Sequence, residues 1–184
     1  MVPPCATCTD NKNPMPNEPT LSTSDEDVKT VHDMIEKMDI AMLTTVCAST
    51  GRLVSRPLST QVAEEDGDVL FLINKTSAVA DDVRANPIVN VAYSSKKAWV
   101  SLSGHGTLVE DNAVVKELWS SGADMFMDGG PENPNNVVLK VHGDTATYWG
   151  GTSLAGTVAK TIGALRNKDG HQKDSGGPTT VNLP

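Results

Sequence analysis

Two tight turns joining three strand-patterned segments constrain this chain more than any other feature. Ile40 to Ala48 is apolar and β-branched through Thr44, Thr45 and Val46. Ser49-Thr50-Gly51 then reads as a turn, and a second β pattern runs from Arg52 towards Val62. Glu64-Glu65-Asp66-Gly67 turns the chain again into Asp68 to Asn74, whose unbroken Val69-Leu70-Phe71-Leu72-Ile73 run suits a strand buried on both faces. Connections this short imply antiparallel neighbours, because a parallel pair needs a crossover of a dozen or more residues. No βαβ alternation supports a parallel doubly wound sheet.

The remaining pattern extends the same architecture. Ser24 followed by Asp25, Glu26 and Asp27 marks a helix start, and Val28, Val31, Ile35 and Met38 recur at helical spacing. A short helix is expected over Ala78 to Asn86, stopped by Pro87, with strands at Ile88 to Ser94 and Ala98 to Glu110 around Ser95-Lys96-Lys97. Asn112 to Trp119 reads as a helix, Ser121 to Asn136 as a long loop of the kind that covers sites, and Val137 to Trp149 as the last strand. Leu154 to Leu165 is weakly helical. The fold class expected is mainly β (α+β): six antiparallel strands in a small closed or partly split barrel with flanking helices. Residues 1–23 read as a disordered leader, 24–166 as the domain and 167–184 as a flexible tail.

Net charge narrows the partners. A formal charge of -8, with lysines and arginines scattered, argues against nucleic acid or an anionic membrane as the main partner. No stretch approaches the roughly 18 to 20 apolar residues of a spanning helix, and Met1-Val2-Pro3-Pro4 lacks the features of a signal peptide. A cytoplasmic protein is the expectation. The three cysteines make no disulfide framework. Cys5-Ala-Thr-Cys8 would need a second ligand pair or a thioredoxin-like context to be a metal or redox motif; neither follows, so no metal is expected.

The candidate chemistry concentrates in a few places. Within Gly51 to Ser59, Arg52, Val54, Arg56 and Leu58 share one strand face, while Leu53, Ser55, Pro57 and Ser59 share the other. Pro57 cannot donate to a ladder, so it marks an edge or a place where pairing yields to something else. Two planar cations beside an interrupted strand suit an anionic, aromatic ligand. Lys75-Thr76-Ser77 at a helix start could receive a phosphate, or be an ordinary cap with a solvated lysine. His105 between Gly104 and Gly106 could be a proton donor or a partly exposed sheet residue. Tyr148-Trp149 could stack on a ring or join an interface, or be a rim pair of the core. Rossmann and Walker motifs are absent.

Gly51 to Leu58 resembles the "g-x-l-x-S-R-P-M" segment of the pyridoxamine 5′-phosphate oxidase-like, FMN-binding split-barrel proteins, in the general stress protein 26 branch. Further matches follow in order: Leu70-Phe71-Leu72 to Ser77, Val83 to Val89, Trp99 to Gly104, the Trp119 to Gly130 loop, and Thr147-Tyr148-Trp149. The resemblance implies a six-stranded split barrel and a homodimer with FMN at the subunit interface. It implies that Ser55, Arg56, Pro57 and Leu58 border the isoalloxazine with Ile73 and Asn74. Lys75, Thr76 and Ser77 would lie near the phosphate, and Trp149 would approach from the other subunit. No catalytic acid or base is implied. The chain departs from the family at Val79, where a lysine is usual; Lys75, Arg52 or Arg84 would have to supply that cation. The function so implied is a flavin-dependent oxidoreductase acting on a small molecule. A non-catalytic flavin-binding stress protein and a deazaflavin-dependent reductase are the alternatives.

Overall fold

The computed structural model describes residues 20–22, 24–64, 67–120, 122–150 and 179–183. Along the chain these form β1 (Thr20–Ser22), α1 (Asp25–Ile35), β2 (Ile40–Val46), β3 (Leu53–Ala63), β4 (Val69–Asn74), α2 (Ala78–Ala85), β5 (Ile88–Ser94), β6 (Ala98–Val109), α3 (Asn112–Leu118), β7 (Asn136–Gly150) and β8 (Thr179–Asn182). The expected helix over Leu154 to Leu165 lies outside the described residues.

Six antiparallel strands close on themselves in the order β7-β4-β3-β2-β5-β6, and β6 returns to β7. Each predicted hairpin is present. Gly51 makes the first turn with φ of 67°, a conformation cheap only for a residue without Cβ. The closing strand β7 is long enough to serve three neighbours. It pairs with β6 along one edge, and on the other with β4 through Asn136 to Val141 and β8 through Thr145 to Tyr148.

Alternation along the strands fills the barrel. Leu43, Phe71, Val91, Tyr93, Val100, Leu102, Leu139 and Val141 are almost wholly buried, each contributing about 1.5 to 3 kcal/mol of apolar transfer where fully buried. Helix α1 packs Val31, Met34 and Ile35 against this core, and its start is capped as the sequence predicts, with Ser24 Oγ accepting from the Asp27 amide. A second apolar cluster lies outside the barrel, where Val115 of α3 covers Leu70, Leu72 and Val138.

Two strands were not expected from the sequence. Thr20–Ser22 and Thr179–Asn182 lie within stretches read as leader and tail, yet β8 adds to the upper half of β7 and β1 pairs with β8 in parallel. The physical reason is one residue: Val181 is fully buried in the barrel core, which fixes the strand around it. No helix among the described residues is long and apolar enough to cross a membrane.

Candidate functional site

Strands β3 and β4 do not stay together. They pair from Ala63↔Val69 to Thr60↔Phe71, with an irregularity at Gln61, and the ladder stops there. Beyond it Pro57, Leu58 and Ser59 remain paired only to β2, and Leu72, Ile73 and Asn74 only to β7. The barrel is split between these two edges. Pro57 stands on the diverging side, as its missing N–H requires.

The split opens into a groove of about 510 Å³ lined by Ile40, Pro57, Leu58, Ser59, Gln61, Leu72, Ile73, Asn74, Ser77, Val79, Gly122, Ala123, Phe126 and Met127. Its wall is largely apolar, with unpaired strand edges and a few hydroxyl and amide side chains among the hydrocarbon, a composition suited to a small organic ligand. One side is the loop after α3, read from the sequence as a site cover. Phe126 is 81% exposed there, and Trp119 Nε1 donates to Asp124 Oδ1 at 2.8 Å, tying the loop to the end of α3.

At the groove's end the chain turns into α2. Asn74 Oδ1 accepts from both the amide and the hydroxyl of Thr76, at 2.8 and 2.7 Å, and Ser77 Oγ caps the helix by accepting from the Ala80 amide. The cap is ordinary, and it still leaves the first-turn amides of Ala78 and Val79 without a hydrogen bond among the described residues. Lys75 Nζ lies 4.0 Å from Glu110, and Arg84 Nη1 donates to the Lys75 carbonyl at 2.8 Å.

Of the ten residues singled out by the sequence, five line the groove together: Pro57, Leu58, Ile73, Asn74 and Ser77. Lys75 and Thr76 flank its end. Ser55 is exposed on the outer sheet face, where its hydroxyl meets Thr44 Oγ1 at 2.8 Å. Trp149 pairs across the β6–β7 ladder with Trp99; the two indoles are 38% and 47% exposed and do not line this groove.

Arg56 is not among the residues that line the groove. It points towards the buried carboxylate of Asp82 on α2, with Nη1 at 3.0 Å from Oδ2 and 2.9 Å from Thr45 Oγ1. Thr45 Oγ1 donates to the same carboxylate oxygen at 2.8 Å, and the Ala48 amide donates to the other. Burial is the largest single influence on Asp82 and pushes its pKa up. The bonds from Ala48, Thr45 and Arg56 together outweigh burial and hold the carboxyl below its usual value. Sequence reading missed Asp82, although its helical spacing to Val79 and Val83 places it on the buried side of α2.

The outer face of β3, β2, β5 and β6 carries a further feature. Cross-strand rows place Leu53, Ser55, Pro57 and Ser59 beside Val46, Thr44, Met42 and Ile40, then Asn90 and Ala92 beside Ser103 and Ser101, ending at Trp99 and Trp149. None of these side chains is charged, and Ile40, Met42, Leu53, Trp99 and Trp149 are substantially exposed. An uncharged, partly apolar sheet face of this extent, continuous with the groove through Ile40 and Pro57, has the composition of an interface.

Residues 26–173 match the family described as "Pyridoxamine 5′-phosphate oxidase like". Among curated proteins the chain is similar to protein bli-3 of Neurospora crassa, 29% identical over 171 residues, which cover 86% of this chain and 78% of that protein. Its fold is similar to the General Stress Protein 26 of Bacillus anthracis, with a TM-score of 0.60 and 20% identity over 67% of this chain and 93% of that one. It is also similar to a pyridoxamine 5′-phosphate oxidase-related, FMN-binding protein of Nostoc punctiforme. There the TM-score is 0.52 and the identity 15%, over 86% of this chain and 94% of that one.

Proposed function

This chain belongs to the pyridoxamine 5′-phosphate oxidase-like family, and from that premise we propose that it binds FMN in the groove between β3 and β4 and works as a flavin-dependent oxidoreductase on a small molecule. The observation that carries the reading is the parting of the two strands, which leaves two unpaired backbone edges facing an apolar groove beside a helix start. A planar ring with polar atoms on its rim needs such a slot: hydrocarbon for its faces and main-chain groups for its edge.

The residues fit the group. Pro57, Leu58, Ile73 and Asn74 would border the ring system, with Ser55 and Arg56 behind it on the same strand. Ser77 with the α2 amides, flanked by Lys75 and Thr76, would face the phosphate through the positive end of the helix. FMN would supply the hydride or electron chemistry. The protein's part is to bind, orient and exclude water, with the Phe126 loop as one wall. A homodimer belongs to the same reading: the uncharged face would take a second copy, and Trp149 would then reach the partner's groove. A cytoplasmic location is in keeping with an odd number of cysteines.

The test is the visible spectrum of the purified protein, followed by anaerobic NADH or NADPH. A bound yellow chromophore that bleaches at a useful rate supports the reductase. A yellow protein that does not bleach favours a flavin-binding stress protein without catalysis. A colourless protein that takes up a deazaflavin but no FMN at micromolar concentration moves the groove to that cofactor. One that takes up neither ends the reading.

A further inference from the structure

A second constellation, used by nothing above, lies on the outer face of the barrel where β4, β7 and β6 run side by side. His105 of β6 and His142 of β7 are direct cross-strand partners. Their rings meet edge to face with centroids 5.1 Å apart and an interplanar angle of 65°. Both side chains reach solvent, at 48% and 41% exposure.

Each imidazole has a carboxylate behind its Nδ1. His142 Nδ1 is 2.6 Å from Asp68 Oδ1, and the other oxygen of that buried carboxylate is 2.6 Å from Lys140 Nζ. A carboxylate held by an ammonium only accepts, so the shared proton belongs to His142 Nδ1 and the lone pair of the neutral ring is on Nε2. Across the ladder, His105 Nδ1 is 3.5 Å from Asp144 Oδ1. Asp144 is there because of a bulge: Gly104 pairs with Gly143 and Ser103 with Thr145, which leaves Asp144 as the extra residue. The Leu183 amide donates to its carbonyl at 3.0 Å.

We propose that His105 and His142 form a surface site for a divalent transition metal of the imidazole-preferring kind, such as Zn²⁺, with both Nε2 atoms as ligands and water completing the shell. A metal-bound histidine characteristically donates its other ring N–H to a carboxylate, which fixes the tautomer and raises the basicity of the ligand atom. Here the His142 ring is backed in that way by Asp68, and the Asp144 carboxylate stands 3.5 Å from the corresponding nitrogen of His105. Among the described residues the surroundings favour a cation: the carboxylates of Glu64 and Asp68 stand around the ammonium of Lys140, itself 3.2 Å from Glu64, and that of Asp144 stands beside His105. The bound ion would pin β6 to β7 beside the bulge. Another grouping, His32, Asp33 and Glu36 at the C-terminal end of α1, is less suited, because His32 Nε2 already lies 3.1 Å from the Ala63 carbonyl.

The test is calorimetric titration of ZnCl2 into the untagged full chain, with thiols alkylated so that Cys5, Cys8 and Cys47 do not compete. One ion per chain is expected. Affinity should fall at least tenfold in His105→Asn and in His142→Asn, and about tenfold in Asp144→Asn, while His32→Asn leaves it unchanged. His105 and Asp144 are exposed, so their variants should fold, which circular dichroism checks. Absence of saturable binding up to about 1 mM metal, well above the affinities of structural sites, overturns the site. So does binding that survives both histidine substitutions, or binding lost only in His32→Asn.

Discussion

Arg56 and Asp82 join the split-barrel strand β3 to helix α2 through an ion pair of 3.0 Å, with the carboxylate almost fully buried and the guanidinium about a quarter exposed. The pair is not part of the groove's lining. It ties the strand that forms one edge of the split to the helix whose start forms its end, and Thr45 of β2 is the third member of the knot. Burying a carboxylate is costly unless every oxygen is served; here the Ala48 amide, the Thr45 hydroxyl and the arginine serve both.

Arg56→Ala should therefore lower stability before anything else. It removes a charge-assisted bond, and the expected loss is about 2 to 3 kcal/mol, read as a shift of the urea midpoint at constant slope. Arg56→Lys should recover only part of it, because one ammonium on a flexible stem does not reproduce the planar contact. A loss under about 0.5 kcal/mol, the ordinary range for surface substitutions, would mean that the knot contributes little.

Acid should weaken the same knot. Burial raises the Asp82 pKa, but the hydrogen bonds outweigh it, so the folded carboxyl titrates below its ordinary value of 3.8. Around that pH the unfolded chain binds the proton more readily than the folded one. Stability is thus fully present above the ordinary value and is lost as pH falls through the folded one. In Asp82→Asn this contribution is gone. The gap in urea midpoint between wild type and variant should narrow from pH 7 to about pH 3, and a constant gap would contradict the assignment.

The six barrel strands were legible because each is specified locally, by period-two alternation, β-branched runs and turn residues such as Gly51. β1 and β8 were not, since three or four polar-looking residues become a strand only by adding to an existing edge, and the anchor is the single Val181. The groove was half legible. Pro57 announced a gap in pairing, but no local signal says that β4 diverges from it, because that depends on the long-range register of β4 with β7. Asp82 escaped notice because a carboxylate on a short helix reads as a solvated face until its buried partners are known.

Gly104 should tolerate no side chain. A Cβ there would fall on the carbonyl oxygen of His142 and close to Gly143, which are backbone and cannot rotate away. Gly104→Ala should cost about 3 kcal/mol, the upper end of ordinary overpacking, and lower the thermal midpoint accordingly. Near-wild-type melting would show that the bulge can shift by a residue.

Trp149→Glu should separate a dimer into monomers. The substitution places a charge at the end of a row of uncharged side chains, where burial against a second copy would desolvate it. Sedimentation velocity at micromolar concentration reads the result: a dimeric wild type and a monomeric, folded variant. If both are dimers, Trp149 lies outside the contact; if wild type is a monomer, the face serves another purpose.

Val79→Lys tests where a phosphate would lie. Val79 is in the first turn of α2, lines the groove and is 6% exposed; the sequence resemblance implies a lysine at this place. An ammonium carried there on a four-carbon stem can reach the groove while its methylenes keep the valine's contacts. It would add a charge-assisted bond to a phosphate at the helix start, so FMN should bind about tenfold tighter, equivalent to about 1.4 kcal/mol. Riboflavin lacks the phosphate and should bind as before, and the FMN gain should shrink with added salt. Partial desolvation of the lysine would cost some stability, visible as a lower urea midpoint without ligand. If FMN and riboflavin gain equally, the added side chain contacts the ring and the phosphate lies elsewhere. If neither changes, Val79 is not in the ligand's wall and the groove must be entered from the Phe126 side.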